Sequence, residues 1–280
     1  MRHILLKDNT IHSFTEMEMM GIINVTPDSF FAGSRTLDPT DAMARAEKLI
    51  GEGASFLDIG GESTRPGSAP VTPDEEIARV CPVIREIKSR YPDILLSVDT
   101  YHASTAQAAC EAGVDILNDI SGLTFDPDMV HVAADNQVPV ILMHIQGRPD
   151  HMQDHPYYEN VVEDVYAFLE RQIEYALSNG VSEERIIYDL GIGLGFGKTY
   201  EHNIELLKHI DRFQDLDLPQ LLAVSRKSFI GTALHEDDPD ERLFGTVGVS
   251  VYAAMHGVEM ARVHDVKENL DAVRMAEVLQ

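Results

Sequence analysis

Eight short apolar runs, each of five or six residues, recur through the chain with helix-like stretches between them. They lie at 20–24 (MGIIN), 55–60 (SFLDIG), 94–99 (ILLSVD), 114–118 (VDILN), 138–143 (VPVILM), 185–189 (RIIYD), 221–225 (LLAVS) and 258–263 (VEMARV). Most are nearly continuous in their apolar residues, the pattern of parallel strands buried on both faces. The stretches between them carry helix punctuation. Thr72-Pro73-Asp74-Glu75 reads as a capping box with proline at the first helical position. Asp38-Pro39 and Asp126-Pro127 repeat the polar-cap-then-proline signal, and Gly53, Gly113, Gly180 and Gly257 stand where helix C-termini belong. About eight strand-then-helix units predict an α/β fold, a (β/α)8 TIM barrel over 20–280, with 1–19 as a short hairpin under the barrel bottom. A doubly wound open sheet is the alternative; it lacks its glycine fingerprint here, and eight units are many for it.

Barrel enzymes build their sites at the C-terminal strand ends. Here every end is polar: Asn24, then DIGGESTRPGS, Asp99-Thr100, Asn118-Asp119, Met143-His144, Asp189, SRKS (225–228) and RVHD (262–265). Singly, Asp99, Asn118 or Ser225 also fits the cap of a following helix. Together the ends fit a binding site. Asp99, Asn118 and Asp189 offer acceptors, and the amide also donates, which suits a flat heterocycle with several N–H groups, such as a pterin or purine. Lys227, Arg262, His264 and Arg65 offer positive charge and donors, which suits a phosphate or diphosphate. The Asn24 amide oxygen suits Mg2+ shared with phosphate oxygens and water. No HxH closes the first strand and no G-x-S-x-G elbow occurs, which argues against a metal hydrolase and a serine hydrolase. The long loops after the first two strands carry Asp28, Phe30 and Arg65 at their bases and read as lids.

One stretch invites a different reading. DLGIGLGFGKT (189–199) looks like a phosphate cradle. A P-loop needs its first glycine at position 192, which is Ile192, and the dinucleotide fingerprint fails because these glycines recur at every second residue. The stretch therefore reads as the loop after the sixth barrel strand, with Asp189 as its working end.

Net charge is −25 and no run of Lys and Arg occurs, so the partner expected is a small molecule and not nucleic acid. No apolar run is long enough to cross a bilayer, and MRHILLKDNT turns polar too early for a signal peptide, so a cytoplasmic protein with no membrane partner is expected. Cys81 and Cys110 fall in helix-like segments and are expected as free thiols in a reducing compartment.

GIINVTPDSF, DIGGESTRPGS, SVDT, NDISG, ILMH, SRKSFIG and RVHDV occur in that order at the expected strand ends. Together they resemble the dihydropteroate synthase family, the folate-pathway target of sulfonamides, over about 20–280. The resemblance implies a transferase, usually a homodimer, that joins 7,8-dihydropterin-6-ylmethyl diphosphate to 4-aminobenzoate and releases diphosphate. It implies that Asp99, Asn118, Asp189 and Lys227 hold the pterin, with Arg262 on its face. Asn24 would contact Mg2+, and Thr64, Arg65 and His264 would surround the diphosphate. Ser228, at a helix start, would receive the aminobenzoate carboxylate, and Met143, Gly195 and Phe196 complete the substrate-binding set. Asp99, Lys227, Arg65 and Asp28 form the expected catalytic set. The chemistry expected is a largely dissociative substitution assisted by Mg2+.

Two departures stand out. Ala32 occupies the place of a carboxylate usual in the family's first loop, and Asp28 is the residue left to compensate. After the sixth strand, Leu190 stands for a usual proline and the glycine repeat is two residues longer, which leaves open which of its glycines line the pocket. Two other functions stay in view: a pterin-binding paralogue without turnover, and a methyltetrahydrofolate-dependent corrinoid methyltransferase. The latter needs no diphosphate site, and the cations of SRKS, RVHD and ESTRP argue against it.

Overall fold

Alternation along each strand decides this architecture. The computed structural model describes residues 1–25, 39–62, 71–148 and 152–279. Its elements in chain order are β1 (His3–Leu5), β2 (Ile11–Ser13), β3 (Glu18–Asn24), α1 (Pro39–Gly51), β4 (Phe56–Gly60), α2 (Pro73–Arg90), β5 (Leu95–Asp99), α3 (Ala103–Ala112), β6 (Ile116–Asp119), α4 (Met129–Asn136), β7 (Val140–Met143), α5 (Val161–Ser178), β8 (Ile186–Asp189), α6 (Tyr200–Lys208), β9 (Gln220–Leu222), α7 (Ser228–Leu234), α8 (Leu243–Met255), β10 (Met260–Val263) and α9 (Val266–Val278). Strands β3 to β10 pair in parallel in sequence order, and β10 closes on β3. This is the expected (β/α)8 barrel.

Successive strand side chains point to opposite faces. One set, including Met19, Ile23, Leu57, Val98, Leu117, Leu142 and Val263, packs with the helices in one continuous apolar core. The other set fills the barrel. Its lowest layer is Met20, Phe56, Ile116, Ile141, Ile187, Leu221 and Met260, with Leu95 packed against it. Ile4, from the middle of β1, and Phe14, just past β2, complete that layer and plug the floor. The hairpin is fastened by polar contacts. Arg185 donates to the carbonyls of Leu5, Leu6 and Gln137 and to Asn9 Oδ1. Arg2 donates to Gln214 and Glu259.

The helix starts follow local chemistry. Thr72 and Glu75 form the expected reciprocal capping box on α2. The signal at Asp126-Pro127 misleads, because α4 begins only at Met129. The Asp126 carboxylate accepts instead from the Ala103 N–H at 2.9 Å, at the start of α3, whose own N-cap residue His102 makes no side-chain cap. The strand expected to run to Ser225 leaves the sheet after Leu222, and 223–225 carry Ser225 toward the neighbouring strand end. Cys81 and Cys110 are buried and unpaired, in α2 and α3. No helix among the described residues is long and apolar enough to cross a membrane.

Candidate active site

Two residues above the apolar floor, the same inward-facing positions turn polar. Arg262, in β10, crosses the barrel. Its Nε donates to Asp58 Oδ2 of β4 at 2.5 Å and its Nη2 to Asp99 Oδ2 of β5 at 2.9 Å. Asn118 of β6 donates to the same Asp58 oxygen at 3.3 Å. One guanidinium thus ties three strand ends, and its plane is fixed by two carboxylates. Asp58 is fully buried, and its Oδ1 has no hydrogen-bond partner. Gly60 lies just above. A Cβ there would sit 3.7 Å from Asn24 Oδ1 and 3.8 Å from Asp99 Oδ2, so the Asn24 amide and the Asp99 carboxylate flank one spot at the mouth.

Asp189 ends β8 on the opposite wall, nearly buried. Its Oδ1 accepts from the Gly191 N–H at 2.7 Å. Two amides of the loop that follows are held by side chains of neighbouring segments. Gly193 N–H donates to Asn203 Oδ1 at 2.7 Å and Gly197 N–H to Gln153 Oε1 at 3.0 Å. Lys227 Nζ donates to the Ile192 carbonyl at 2.5 Å and lies 4.6 Å from the centre of the Phe196 ring. The N–H groups of Gly191, Gly193 and Gly197 are therefore spent on Asp189, Asn203 and Gln153 and are not free to cradle a phosphate. The glycines serve close approach. At Gly191, φ is +65°, and a Cβ would fall 1.9 Å from the His144 carbonyl oxygen; at Gly197, φ is +69°, and a Cβ would fall 2.5 Å from the Gln146 carbonyl oxygen. Met143, Ile120, Ile145 and Met152 form an apolar patch against which Phe196, Tyr101 and Phe125 pack.

The charges are shaped by burial. Burial pushes the Asp99 carboxyl up to about 7, against the pull of Arg262 and with help from Asp58. Burial also raises Asp189, and Lys227 opposes it. Burial brings Lys227 down to about 8, with Asp189 opposing. Burial works against the Arg262 charge too, but Asp58 and Asp99 outweigh it and raise its pKa. His264 departs from expectation. Burial, then Arg262 and Arg226, push it down to about 4, so it is a neutral ring at pH 7 rather than a cation. Its Nδ1 lies 2.9 Å from Ser225 Oγ.

A second polar group lies beyond β5. Glu62, Glu76 and His102 each bring one ligand atom to within 4.8 Å of the others, a group that could hold a metal ion. Part of it is already engaged, while Glu62 Oε2 is buried with no hydrogen-bond partner. Glu76 Oε2 accepts from Thr100 Oγ1 at 2.8 Å and pairs with His102 Nδ1 at 3.0 Å, and Glu62 Oε1 accepts from the Tyr101 hydroxyl at 3.0 Å.

Residues 20–264 match the model of the pterin binding enzyme family. The dihydropteroate synthase of Haemophilus influenzae is 39% identical over 272 residues, covering 97% of this chain and 97% of that protein. The chain belongs to the dihydropteroate synthase family. It is an enzyme, a transferase of folate biosynthesis. Two solved members of the family carry ligands in the same fold. The Yersinia pestis dihydropteroate synthase, in a sulfonamide drug complex, superposes with a TM-score of 0.91 at 38% identity, covering 99% of this chain and 98% of its own. The Xanthomonas albilineans dihydropteroate synthase, with 4-aminobenzoic acid, gives 0.91 at 38% identity with the same coverage.

With the family established, the expected site residues sort by place. Asp99, Asn118 and Arg262 meet across the barrel, and Asp189, Lys227 and Phe196 meet at the loop after β8. Asn24 stands at the mouth beside Gly60, and Met143 lies in the apolar patch. Gly195 is buried in the loop. Ser228 opens the seven-residue α7 and is exposed, one residue beyond Lys227. Asp28, Thr64 and Arg65, together with Phe30 and Ala32, lie outside the described residues. Asp58 and Lys198 are the residues that the sequence reading missed. For Asp58 a signal existed: it is the one charged residue in SFLDIG and shares strand parity with Phe56 and Gly60, so it points into the barrel.

Proposed function

We propose that the enzyme joins 7,8-dihydropterin-6-ylmethyl diphosphate to 4-aminobenzoate by a largely dissociative substitution, giving 7,8-dihydropteroate and diphosphate. The observation that carries this reading is the Arg262 bridge between Asp58 and Asp99, with Asn118 and Asp189 turned into the same space. It supplies a flat, charge-fixed seat for a heterocycle rich in N–H groups. Asp99, Asn118 and Asp189 accept or exchange hydrogen bonds with the pterin edge, Lys227 donates to it, and the pinned Arg262 plane lies against its face. The reacting C–O bond breaks, and its electron pair leaves with the diphosphate. Positive charge spreads from the methylene carbon into the pterin ring, where Asp99 and Asp189 favour it. The aminobenzoate nitrogen attacks with its lone pair and then loses a proton to solvent. Ser228, Phe196 and the apolar patch at Met143 receive the aminobenzoate; Asp28, Thr64 and Arg65 serve the diphosphate, with neutral His264 as a donor.

A magnesium ion fits Asn24 better than the Glu62–Glu76–His102 group. Asn24 offers a hard amide oxygen at the mouth, and Mg2+ is usually held by few protein ligands plus phosphate oxygens and water. The other group includes an imidazole and has Glu76 Oε2 already taken. When bound, the ion offsets the negative charge that collects on the leaving diphosphate.

Two copies form the working unit. Helix α8 turns its small residues Thr246, Ser250 and Ala253 inward, and its thirteen residues carry no charge. Its outer face leaves Phe244 84%, Met255 55% and Tyr252 37% exposed. A large apolar face of this kind is typical of an interface, and a second copy meets it with the same face. Sedimentation should give a dimer, and Phe244→Asp should give a monomer; a monomeric wild type removes this part. The same reading makes 20–280 the catalytic barrel and 1–19 the segment that closes its floor. It places the enzyme in the cytoplasm, where the buried thiols of Cys81 and Cys110 stay reduced.

The reaction is tested by supplying the pterin diphosphate, Mg2+ and 4-aminobenzoate and measuring both diphosphate and dihydropteroate. Equal yields of the two are expected. Pterin binding without either product would favour a paralogue that only binds.

A further inference from the structure

The lysine of the GKT triplet is the one prominent motif that the reaction leaves unused. Lys198 is fully buried. Its Nζ lies 2.8 Å from His144 Nδ1, 3.3 Å from the His144 carbonyl oxygen and 3.3 Å from the Phe196 carbonyl oxygen. An ammonium has three hydrogens, and three acceptors stand within reach. His144 is itself nearly buried, against the edges of Phe168 and Tyr158. Its N–H donates to the Asp189 carbonyl at 3.0 Å. Its carbonyl oxygen lies against Gly191, whose N–H holds Asp189 Oδ1. Lys198 Nζ would lie 3.1 Å from a Cβ on Gly191. Asp189, Gly191, His144 and Lys198 therefore make one knot behind the pterin seat, and Phe196 hangs from it by its carbonyl.

We propose that Lys198 is a positioning residue for the reaction: clamped on His144, it fixes the turn that aims Asp189 at the pterin and supplies the buried positive charge beside that carboxylate. The proposal rests on the pterin reading above and deepens it. Burial pulls the Lys198 ammonium well below the usual lysine range; Asp189 opposes that shift and Lys227 adds to it, so Asp189 is the neighbour that favours its charge. His144 is held neutral by burial, then by Lys198 and Arg171, so its Nδ1 is free to accept. The charges that bear on Asp189 are Lys227, Lys198 and Arg262. Of these, Lys227 and Arg262 are assigned to the pterin itself, whereas Lys198 is closed off from the mouth. A charge that never touches substrate can be removed without removing a substrate contact.

The test compares wild type with Lys198→Gln and Lys198→Met. Glutamine keeps a donor for the carbonyls and loses the charge; methionine loses both. Both should raise KM for the pterin diphosphate about tenfold with a smaller change in kcat, and both should move the acid limb of pterin binding up by about one pH unit, because an anion loses a cationic neighbour. Only Lys198→Met should also weaken aminobenzoate binding, through Phe196. If Lys198→Gln keeps the wild-type limb, or lowers only the melting temperature, the charge role is overturned. Wild-type protein gives an independent reading where a variant fails to fold. The 15N shifts of His144 should report a hydrogen on Nε2 and an accepting Nδ1 from pH 5 to 9, and a hydrogen on Nδ1 overturns the clamp as drawn. Absence of turnover in wild type would instead strike the pterin reading, which separates the two failures.

Discussion

The floor and the mouth of this barrel are made by the same eight strands, two to four residues apart, yet they do opposite work. At the floor every inward position is apolar, from Met20 round to Met260, and Ile4 and Phe14 seal it. One step up, the same parity gives Asp58, Asn118, Asp189 and Arg262. Removing apolar surface from water stabilises the floor wherever its residues fit. Burying charge at the mouth costs free energy unless each group finds a partner. The mouth keeps part of that cost in hand. Asp58 Oδ1 has no partner, Asp99 is pushed up to about 7, and Lys227 is pushed down to about 8. A ligand that satisfies these groups would recover the difference, so the least comfortable part of the fold is the part suited to bind.

The comparison breaks first at its centre. Arg262→Met removes the cation shared by Asp58 and Asp99. Activity should fall by about a thousandfold, and stability by about 3 kcal/mol because a buried carboxylate is left unpaired. Urea titration with turnover assays measures both. An unchanged midpoint would mean that the Arg262 bridge adds nothing to stability. Asp189→Asn is milder, since shape and the Gly191 contact can survive. Pterin affinity should fall by about a hundredfold by calorimetry, with stability nearly unchanged. Unchanged affinity would remove Asp189 from the seat. The floor should show the reverse profile. Phe14→Ala should cost about 3 kcal/mol of stability, while kcat at a temperature where the variant stays folded remains that of wild type. A fall in kcat to match would mean that floor and mouth are coupled.

The two ends also differed in how much the sequence disclosed. The eight runs announced the strands, and the barrel followed, because burial on both faces leaves a pattern within a few residues. The polar ends were legible by position, and Asp99, Asn118, Asp189 and Arg262 do share the barrel interior. What could not be read was pairing. Nothing in SFLDIG names Arg262 as the partner of Asp58, since they lie 204 residues apart. The charge on His264 was misjudged for the same reason, because its pKa depends first on burial and then on Arg262 and Arg226, all of them features of the fold and not of the local sequence. The glycine-rich loop was ambiguous because composition reports freedom of the backbone, not where its hydrogens go. The bonds from Gly191, Gly193 and Gly197 decide that, and they need Asp189, Asn203 and Gln153 in place.

The smallest expected effect is the most diagnostic of the mouth as a store of unmet charge. Lys227 titrates near 8 in the folded chain, against about 10.4 for an unfolded lysine. Between those values the unfolded chain keeps a proton that the folded chain releases, so this group makes stability rise with pH across the window. With Lys227 donating to the pterin as proposed, activity runs the other way, because the donor is the ammonium. On going from pH 7 to 8.5, kcat/KM should fall by about fourfold as the free enzyme loses that proton. Lys227→Arg should lower activity at pH 7 and abolish the basic limb, since a guanidinium stays charged throughout. A basic limb that persists unchanged in Lys227→Arg would assign the titration to another group. Floor variants such as Phe14→Ala should keep the wild-type limb, because the charges that set Lys227 are Asp189, Arg262 and Asp99 at the mouth, whereas Phe14 packs with Ile4 and Phe56 in the floor layer.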